Sequence, residues 1–504
     1  MNAATNQTTG AVRGQRHVVL AWACAALGLL AACSGPRRIR LPDASAWRPA
    51  SPLSTSGLSG GDGEAFPATA SVSPVAMTSS TSGAVPIDLA QVLQLAAETD
   101  LETRIAVEQA QEAFAEMDVV AESLYPSLSL GLRRGDRNGS FQTTAGNFLE
   151  VDARQAFRGP ALELTFDPGR AVFSLAASRE RAEGRTFGAM MTFQAAMWRA
   201  GLSFVALEEA HALISVAEGA LARAQEVLED QQLRRTGGAG HEGDLQGALA
   251  QRARDLDNLL ARKAEAQVAS VRLAELLGLA PRRPLVPRGS EFRALEMVAL
   301  EDLPGLVELA LEHRPEVAQA QSFVSAAELE RDLRSWRWAI PTFEGVAEAG
   351  EVGPDDGHLE HTEAFSMALQ WNLGATLSGE LHRSRAVARE AGFVLEAVRR
   401  RVAREVVEAF RAAQAIRERS TVLEEAERAA RAALDQVAVR FASSDRLLVE
   451  ARRASEMVTA MQERRIGALA DYCRAQLTLF AAVGGGGSAD LPLLLPDPRP
   501  VRRP

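Results

Sequence analysis

Tyrosine occurs twice, cysteine three times and lysine once in these 504 residues, and aromatic side chains make up 5% of the chain. Three cysteines, at positions 24, 33 and 473, cannot frame a disulfide scaffold. So thin an aromatic supply argues against a large β or α/β enzyme core and fits helices built from Ala, Leu, Glu and Arg. Acidic residues (65) outnumber basic ones (55), and the net charge of −10 excludes a generally basic nucleic-acid binder. The single lysine, Lys263, reflects overall composition rather than chemistry. Also missing are a P-loop, an HExxH pair and a G-x-S-x-G elbow, so neither a catalytic constellation nor a cofactor is expected. What is present, 47% hydrophobic residues, is the content of a folded protein.

Arg13 and Arg16 precede an apolar stretch from Val18 to about Ala32, about 15 residues and shorter than the ~20 of a spanning helix. The stretch ends in Leu30-Ala31-Ala32-Cys33, which resembles the bacterial lipobox. That resemblance implies a signal peptide over 1–32 and acylation of Cys33, with Ser34 in the next position directing the lipoprotein to the outer membrane. Removing 1–32 takes away two arginines and no acids, so the net charge moves from −10 to −12. Residues 33–86, crowded with Ser, Thr, Gly and Pro, read as a flexible tether. The stretch 485–504, with five prolines, reads as a disordered tail. Cys473 is then the sole remaining thiol, and with no histidine near it in sequence it reads as a packing residue.

Between these ends one plan occurs twice, over 87–280 and 303–484, with 281–302 as a linker. Each copy is expected to open with a short helix (about 88–98, about 304–312) and a longer one (about 101–124, about 315–338), each long one closed by Pro126 or Pro341. Alternation follows: Leu128, Leu130 and Leu132 interleave with Ser127, Ser129 and Arg133, and Phe343, Gly345 and Ala347 take the equivalent places. Polar loops are expected over Gly135–Pro160 and Gly350–Glu363. Return strands come next, with Leu162, Leu164 and Phe166 in one and Phe365, Met367, Leu369 and Trp371 in the other. Turns at Asp167-Pro168-Gly169 and Asn372-Leu373-Gly374 end them.

No proline then occurs until Pro281 or Pro492. Phe193, Ala200, Leu207, Ile214, Leu221 and Leu228 recur every seventh residue, with Ala196, Ser203, Ala210, Ala217 and Ala224 between them, a seam of large and small residues. Leu395, Val402, Ala409, Ile416, Leu423, Ala430 and Val437 repeat the period. Two helices of about 65 residues, each roughly 100 Å long, are expected, followed by bends and returning helices (about 244–278, about 446–483). No compact domain is that thick.

Four amphipathic strands per chain have no second layer to cover them and cannot close a barrel, because single-chain barrels start at about eight strands. Leu128, Leu130, Leu162, Leu164, Phe365, Met367 and Leu369 are expected to face lipid. Ser129, Arg133, Glu163, Thr165, Ser366 and Gln370 are expected to face a lumen. The order and doubling of these signals resemble the TolC-type outer membrane efflux proteins, in particular the lipoprotein branch that serves RND pumps. The motifs are Pro126 and Pro341, Asp167-Pro168-Gly169, Arg314-Pro315-Glu316, Leu277-Gly278 and Val483-Gly484. The resemblance spans about 87–484. It implies a mostly α fold with a transmembrane β part: a homotrimer whose 12-stranded barrel continues into a long periplasmic helical tunnel. It implies a periplasmic adaptor and an inner-membrane pump as partners, and passive conduction of cargo. The same fold in type I protein secretion, or a non-transporting coiled-coil envelope scaffold, are the alternatives.

In the first bend, whose turn glycines are Gly237 and Gly238, the residues Gly238, Asp244 and Ala248 match the resemblance, while Arg235 stands where an aromatic is usual. The second bend, Arg440-Phe441-Ala442-Ser443-Ser444-Asp445-Arg446, lacks the glycine. Asp244, Arg440, Asp445 and Arg446 are the candidate tip or gate residues. The best metal candidates, Asp355, Asp356, His358, Glu360 and His361, fall in a polar loop with no fixed face, so no metal is expected.

Overall fold

The computed structural model describes residues 83–143, 146–238, 240–280, 283–289, 291–354, 358–371, 376–441 and 448–485. Cys33, nearly all of the tether, the tail beyond residue 485, Asp355, Asp356, Asn372-Leu373-Gly374, Asp445 and Arg446 lie outside the described residues.

Asp88 starts the first helix, α1 (Leu89–Thr99), through a capping box: its Oδ1 accepts from Gln91 N at 2.8 Å and Gln91 Oε1 accepts from Asp88 N at 3.3 Å. Asp100 ends α1 and caps α2 (Leu101–Glu122), accepting from Thr103 N at 2.7 Å. The second copy uses Asp302 and Pro304 to open α5 (Leu303–His313), and Pro315 at the first turn to open α6 (Pro315–Trp336). α2 and α6 both give way to strands: β2 (Ser127–Gln142) and β3 (Phe148–Phe166), then β5 (Thr342–Gly353) and β6 (Glu360–Gln370).

The loops expected over Gly135–Pro160 and Gly350–Glu363 are strand for most of their length. Only 143–147 and 354–359 connect the paired strands. Charged and glycine residues there hide the pleat from a hydrophobicity pattern, yet every residue of β2 still stands opposite a partner on β3, from Ser127 opposite Glu163 to Gln142 opposite Phe148. Two further elements fall in stretches read as tether and linker. β1 (Val85–Ile87) and β4 (Leu285–Pro287) form a parallel pair, with Leu285 N donating to Ser270 Oγ at 2.6 Å.

From β3 the chain turns at Asp167, whose Oδ1 accepts from Gly169 N and Arg170 N at 2.9 and 3.1 Å. It passes through one π-helical turn (Arg170–Ser174) into α3 (Leu175–Thr236), 62 residues and about 93 Å long. α4 (Glu242–Leu276) returns along it. α7 (Thr376–Phe441), of 66 residues, and α8 (Leu448–Ala482) repeat this in the second copy. The short helices of 22 and 35 residues sit end to end beside each long one, giving a wall four helices wide. Toward the sheet the order is α2–α3–α6–α7, and toward the bends it is α4–α3–α8–α7.

Phe193, Ala196, Ala200, Leu207, Ala217, Ala224 and Leu228 of the expected seam are buried. So are Met197, Gly201, Phe204 and Val205, because α3 is flanked on both sides and buries more than one stripe. α7, at the edge of the wall, buries the narrower set Val402, Val406, Ala409, Phe410, Ala413, Ala430 and Val437. Each copy has its own core where its short first helix meets the long one: Val92, Leu93 and Ala96 against Phe193, Met197 and Leu273, and Ala310 against Val402, Val406 and Leu479.

Gly278 (φ +64) and Gly484 (φ +91) close the copies with the same cap. Leu279 N donates to Ala274 O and Gly485 N to Phe480 O, while each glycine's own N–H reaches the carbonyl three residues back.

Candidate functional site

The four long strands form one sheet in the order β2-β3-β5-β6, so the outer edges of β2 and β6 have no strand partner among the described residues. Register decides which residues share a face. Leu128, Leu162, Ala347 and Phe365 stand opposite one another, as do Leu164, Gly345 and Met367, then Phe166, Phe343 and Leu369. All seven residues expected to meet lipid therefore lie on one face. Leu130 is 84% exposed, and Phe365 and Met367 each 73%. Phe166 and Phe343 touch across the strands, with ring centroids 6.3 Å apart.

The opposite face carries Ser127, Glu163, Val346 and Ser366 in one row, Thr165, Glu344 and Ala368 in another, and Ser129, Ala161, Glu348 and Ala364 in a third. Between Arg133 and Gln370 this face bears four carboxylates (Glu163, Glu344, Glu348 and Glu360) and one guanidinium. Arg133 approaches Glu348 to 3.9 Å and lies 6.0 Å from the centre of the Phe157 ring. Such a sheet has one greasy side, one acidic wet side and two open edges.

At the far end of the helical wall the first bend closes tightly. Gly237 has ordinary helical φ (−79°), whereas Gly238 (φ +83°) takes the left-handed turn that favours glycine. Arg235, in the place of the usual aromatic, ties the bend by an ion pair to Glu242 at 2.8 Å. Asp244 sits half-buried in the first turn of α4, where its charge suits the helix N-terminus. Together with Arg223, Gln251, Asp255, Arg452 and Ser455 it lines a cavity of about 220 Å³ between α3, α4 and α8, so the first bend and the start of α8 lie at the same end of the molecule. Arg440 belongs to the last turn of α7; its two predicted companions, Asp445 and Arg446, are not among the described residues.

Sequence reasoning missed the polar links that join the two copies. Arg223 donates to Ser455 Oγ (3.1 Å) and Thr459 Oγ1 (2.9 Å). Arg262 on α4 reaches Glu463 on α8 at 3.2 Å, and Arg474 on α8 pairs with Glu209 on α3. Within the second copy Glu427, 5% exposed, lies between Arg431 of its own helix and Arg465 of α8 at 2.5 Å each. The partners that link the two copies are too far apart in sequence for any spacing rule to find them. Gln476, fully buried, accepts from the backbone N–H groups of Met297 and Val298 at 3.2 and 3.0 Å, and so pins the inter-repeat segment to α8.

Cys473 is buried beneath that segment, 3.6 Å from Arg293 O, and burial pushes its thiol up to about 11. Its thiolate is scarce at neutral pH. Maleimide labelling of the native protein at pH 7 is therefore expected to leave Cys473 unmodified, and labelling in denaturant to modify it fully, read by intact mass. Among the described residues no group of three or more His, Cys, Asp or Glu side chains is placed to hold a metal ion.

No family model and no curated protein matches the sequence. Solved structures do match. VceC, an outer membrane protein of Vibrio cholerae, is 18% identical with a TM-score of 0.66, over 79% of this chain and 96% of that one. The CmeC outer membrane channel of Campylobacter jejuni is 13% identical (TM-score 0.65; 80% and 87% covered). The MtrE outer membrane channel of Neisseria gonorrhoeae, in its open state, is 17% identical (TM-score 0.60; 79% and 89% covered). Paired strands on a four-helix wall, doubled within one chain and superimposable on these channels, give this protein the TolC-type fold.

Proposed function

We propose that this chain is the outer membrane channel of a tripartite efflux system, a passive duct in which no bond is made or broken. The observation that carries the reading is the sheet: four strands, both edges open, one face apolar and exposed, continuous with helices of about 93 and 99 Å. An open edge is not tolerated in lipid. Pairing β6 of one copy with β2 of the next removes every edge once a ring closes, and three copies give 12 strands. At about 4.8 Å between strands and a tilt of ~40°, 12 strands enclose a backbone cylinder of roughly 24 Å diameter. That leaves a water-filled lumen once side chains are added.

Acylation at Cys33 would tether the ring to the outer membrane, and the helical wall would reach into the periplasm. A periplasmic adaptor and an inner-membrane pump, of the RND type, would engage its tip around Asp244, Arg440, Asp445 and Arg446. The pump would supply the energy and most of the selectivity. The scaffold alternative has no use for a sheet with a broad exposed apolar face.

The test is the mass and conductance of the purified full-length lipoprotein. A trimer that survives SDS and conducts in planar bilayers with a preference for cations is expected, since carboxylates outnumber arginines on the wet face. A monomer that stays in water after its acyl chains are removed would overturn the proposal.

A further inference from the structure

Charge is divided between the two edges of the helical wall. From Leu101 to Glu122, the whole of α2, stand six carboxylates and one arginine; from Arg383 to Arg404, in the sheet-proximal part of α7, stand seven arginines and two glutamates. α2 and α7 are the outer helices of the wall at the sheet end, so the two charges lie on opposite sides of one chain. Each edge also shows large apolar side chains: Ile105 is 58% exposed, Val119 64% and Phe393 70%. Glu108, Glu112 and Glu116 on α2, and Arg383 and Arg389 on α7, are exposed and have no ion-pair or hydrogen-bond partner among the described residues.

The doubled plan of the chain shows how such edges can meet. α2 and α6 are both 22 residues long, so Leu101 corresponds to Pro315; α3 and α7 both end at a bend, so Thr236 corresponds to Phe441. These shifts carry Glu102–Arg199, which joins α2 to α3, to within two residues of Arg314–Glu405, which joins α6 to α7. The junction of α3 with α6 is then the internal counterpart of a junction between α7 of one copy and α2 of the next. Within the chain that junction is closed by contact: Gln319 donates to Gly184 O at 3.1 Å, the Phe323 ring lies against Gly184, and Arg181 pairs with Glu330. Gly188 leaves room for Gln319, since a Cβ there would lie 2.8 Å from Gln319 Nε2. On the open edges Phe393 takes the place of Gly188 and faces Ile105, while Arg389 takes the place of Gly184 and faces Gln109, between Glu108 and Glu112. Glu116, the counterpart of Glu330, faces Ala386, with Arg383 and Arg389 one turn to either side. Long side chains replace two glycines, so these helices approach less closely than α3 and α6, and charge takes over from close packing.

We propose that copies of this chain recognise one another by charge, the acidic α2 edge of one docking along the basic α7 edge of the next, with Arg389 set between Glu108 and Glu112. The proposal rests on the reading that copies close into a ring. Pairing β6 with the next copy's β2 brings these two edges together, because β6 leads into α7 and α2 leads into β2. Opposite charge on the two edges also keeps like edges apart, so head-to-tail contact is favoured and the ring closes in one direction.

The test is cross-linking of the full-length protein in outer membranes. The pair Ile105→Cys/Phe393→Cys, treated with a short bismaleimide and read on denaturing gels, is expected to give covalent multimers up to the trimer, and either single cysteine none. In this background Arg389→Glu is expected to reduce cross-linking about tenfold, because like charges then face each other across the seam. Adding Glu108→Arg and Glu112→Arg is expected to bring cross-linking back to within about twofold of the cysteine pair alone. In ~1 M KCl, where the screening length is about 3 Å, the deficit of Arg389→Glu is expected to shrink. Arg389→Gln, which adds no charge, repeats the measurement should Arg389→Glu not reach the membrane, and a smaller loss in the same direction is expected. If the cysteine pair does not cross-link although the protein is an SDS-resistant trimer, the copies meet along other faces, and the seam is wrong while the channel reading stands. If Arg389→Glu cross-links as well as its parent, or the reversed glutamates fail to rescue it, charge does not specify the seam. A protein that stays monomeric throughout overturns the ring itself.

Discussion

Phe365→Arg is expected to abolish the trimer in the outer membrane, whereas Ser366→Arg, one residue along the same strand, is expected to leave it intact. Phe365 lies in the middle row of the apolar face beside Ala347, while Ser366 lies opposite Val346 on the polar face. An arginine facing lipid near the midplane of a barrel costs about 2–4 kcal/mol. Three symmetric copies would cost roughly 6–12 kcal/mol, comparable with the whole stability of a typical domain. An arginine facing water costs little of this. It adds one positive charge per chain to a face on which Glu163, Glu344, Glu348 and Glu360 dominate, so the Ser366→Arg channel is expected to conduct with a weaker preference for cations. Heat-modifiable bands on SDS gels of isolated outer membranes check the first result, and reversal potentials in asymmetric KCl check the second. Equal assembly of the two variants would mean that the faces of the sheet have been assigned wrongly.

Much of this molecule is legible from punctuation. Asp88, Asp100 and Asp302 cap helices, Pro315 opens one, and Gly278 and Gly484 close the copies, so the helix ends fall within about two residues of where capping chemistry places them. Faces were legible as well. Alternation in β2, β3 and β6 marked which residues share a face, and the weaker pattern of Phe343, Gly345 and Ala347 followed by doubling. Strand length was not. Past Leu132 both faces of the first hairpin carry polar or charged residues, so periodicity fades although the ladder runs on to Gln142 and Phe148. Nor was the β1–β4 pair, because three residues are too few to show a period. At the tip, the Arg235–Glu242 pair explains how a bend without its usual aromatic still closes, which no motif match could supply.

Arg314 is the residue whose loss is expected to cost the fold most. The sequence marks it as part of Arg314-Pro315-Glu316, and its side chain, 12% exposed, holds Glu316 through Nε (3.1 Å) and Nη2 (2.5 Å) and Glu405 of α7 through Nη1 (2.5 Å). Burial alone would lower its pKa, but the bonds from Glu316 and Glu405 outweigh this and raise it. Gly484, at the end of α8, leaves room for it: a Cβ there would lie 3.3 Å from Arg314 Cγ. The junction of α5, α6, α7 and α8 is thus built around one guanidinium. Arg314→Leu leaves Glu316 without its cation and Glu405 with only Arg401, 3.8 Å away, and a destabilisation of about 3 kcal/mol is expected, read as a lower melting temperature in detergent. Arg314→Lys is expected to recover less than half of this, because an ammonium is a point charge that cannot fork to two carboxylates. Acid supplies the decisive control. In the leucine variant Glu316 and Glu405 repel each other while both are ionised, and protonation in acid removes that repulsion. Lowering the pH from 7 to about 4 is therefore expected to narrow the gap between variant and wild type. A gap independent of pH would mean that Arg314 acts through the packing of its aliphatic stem against Gly484 rather than through its charge.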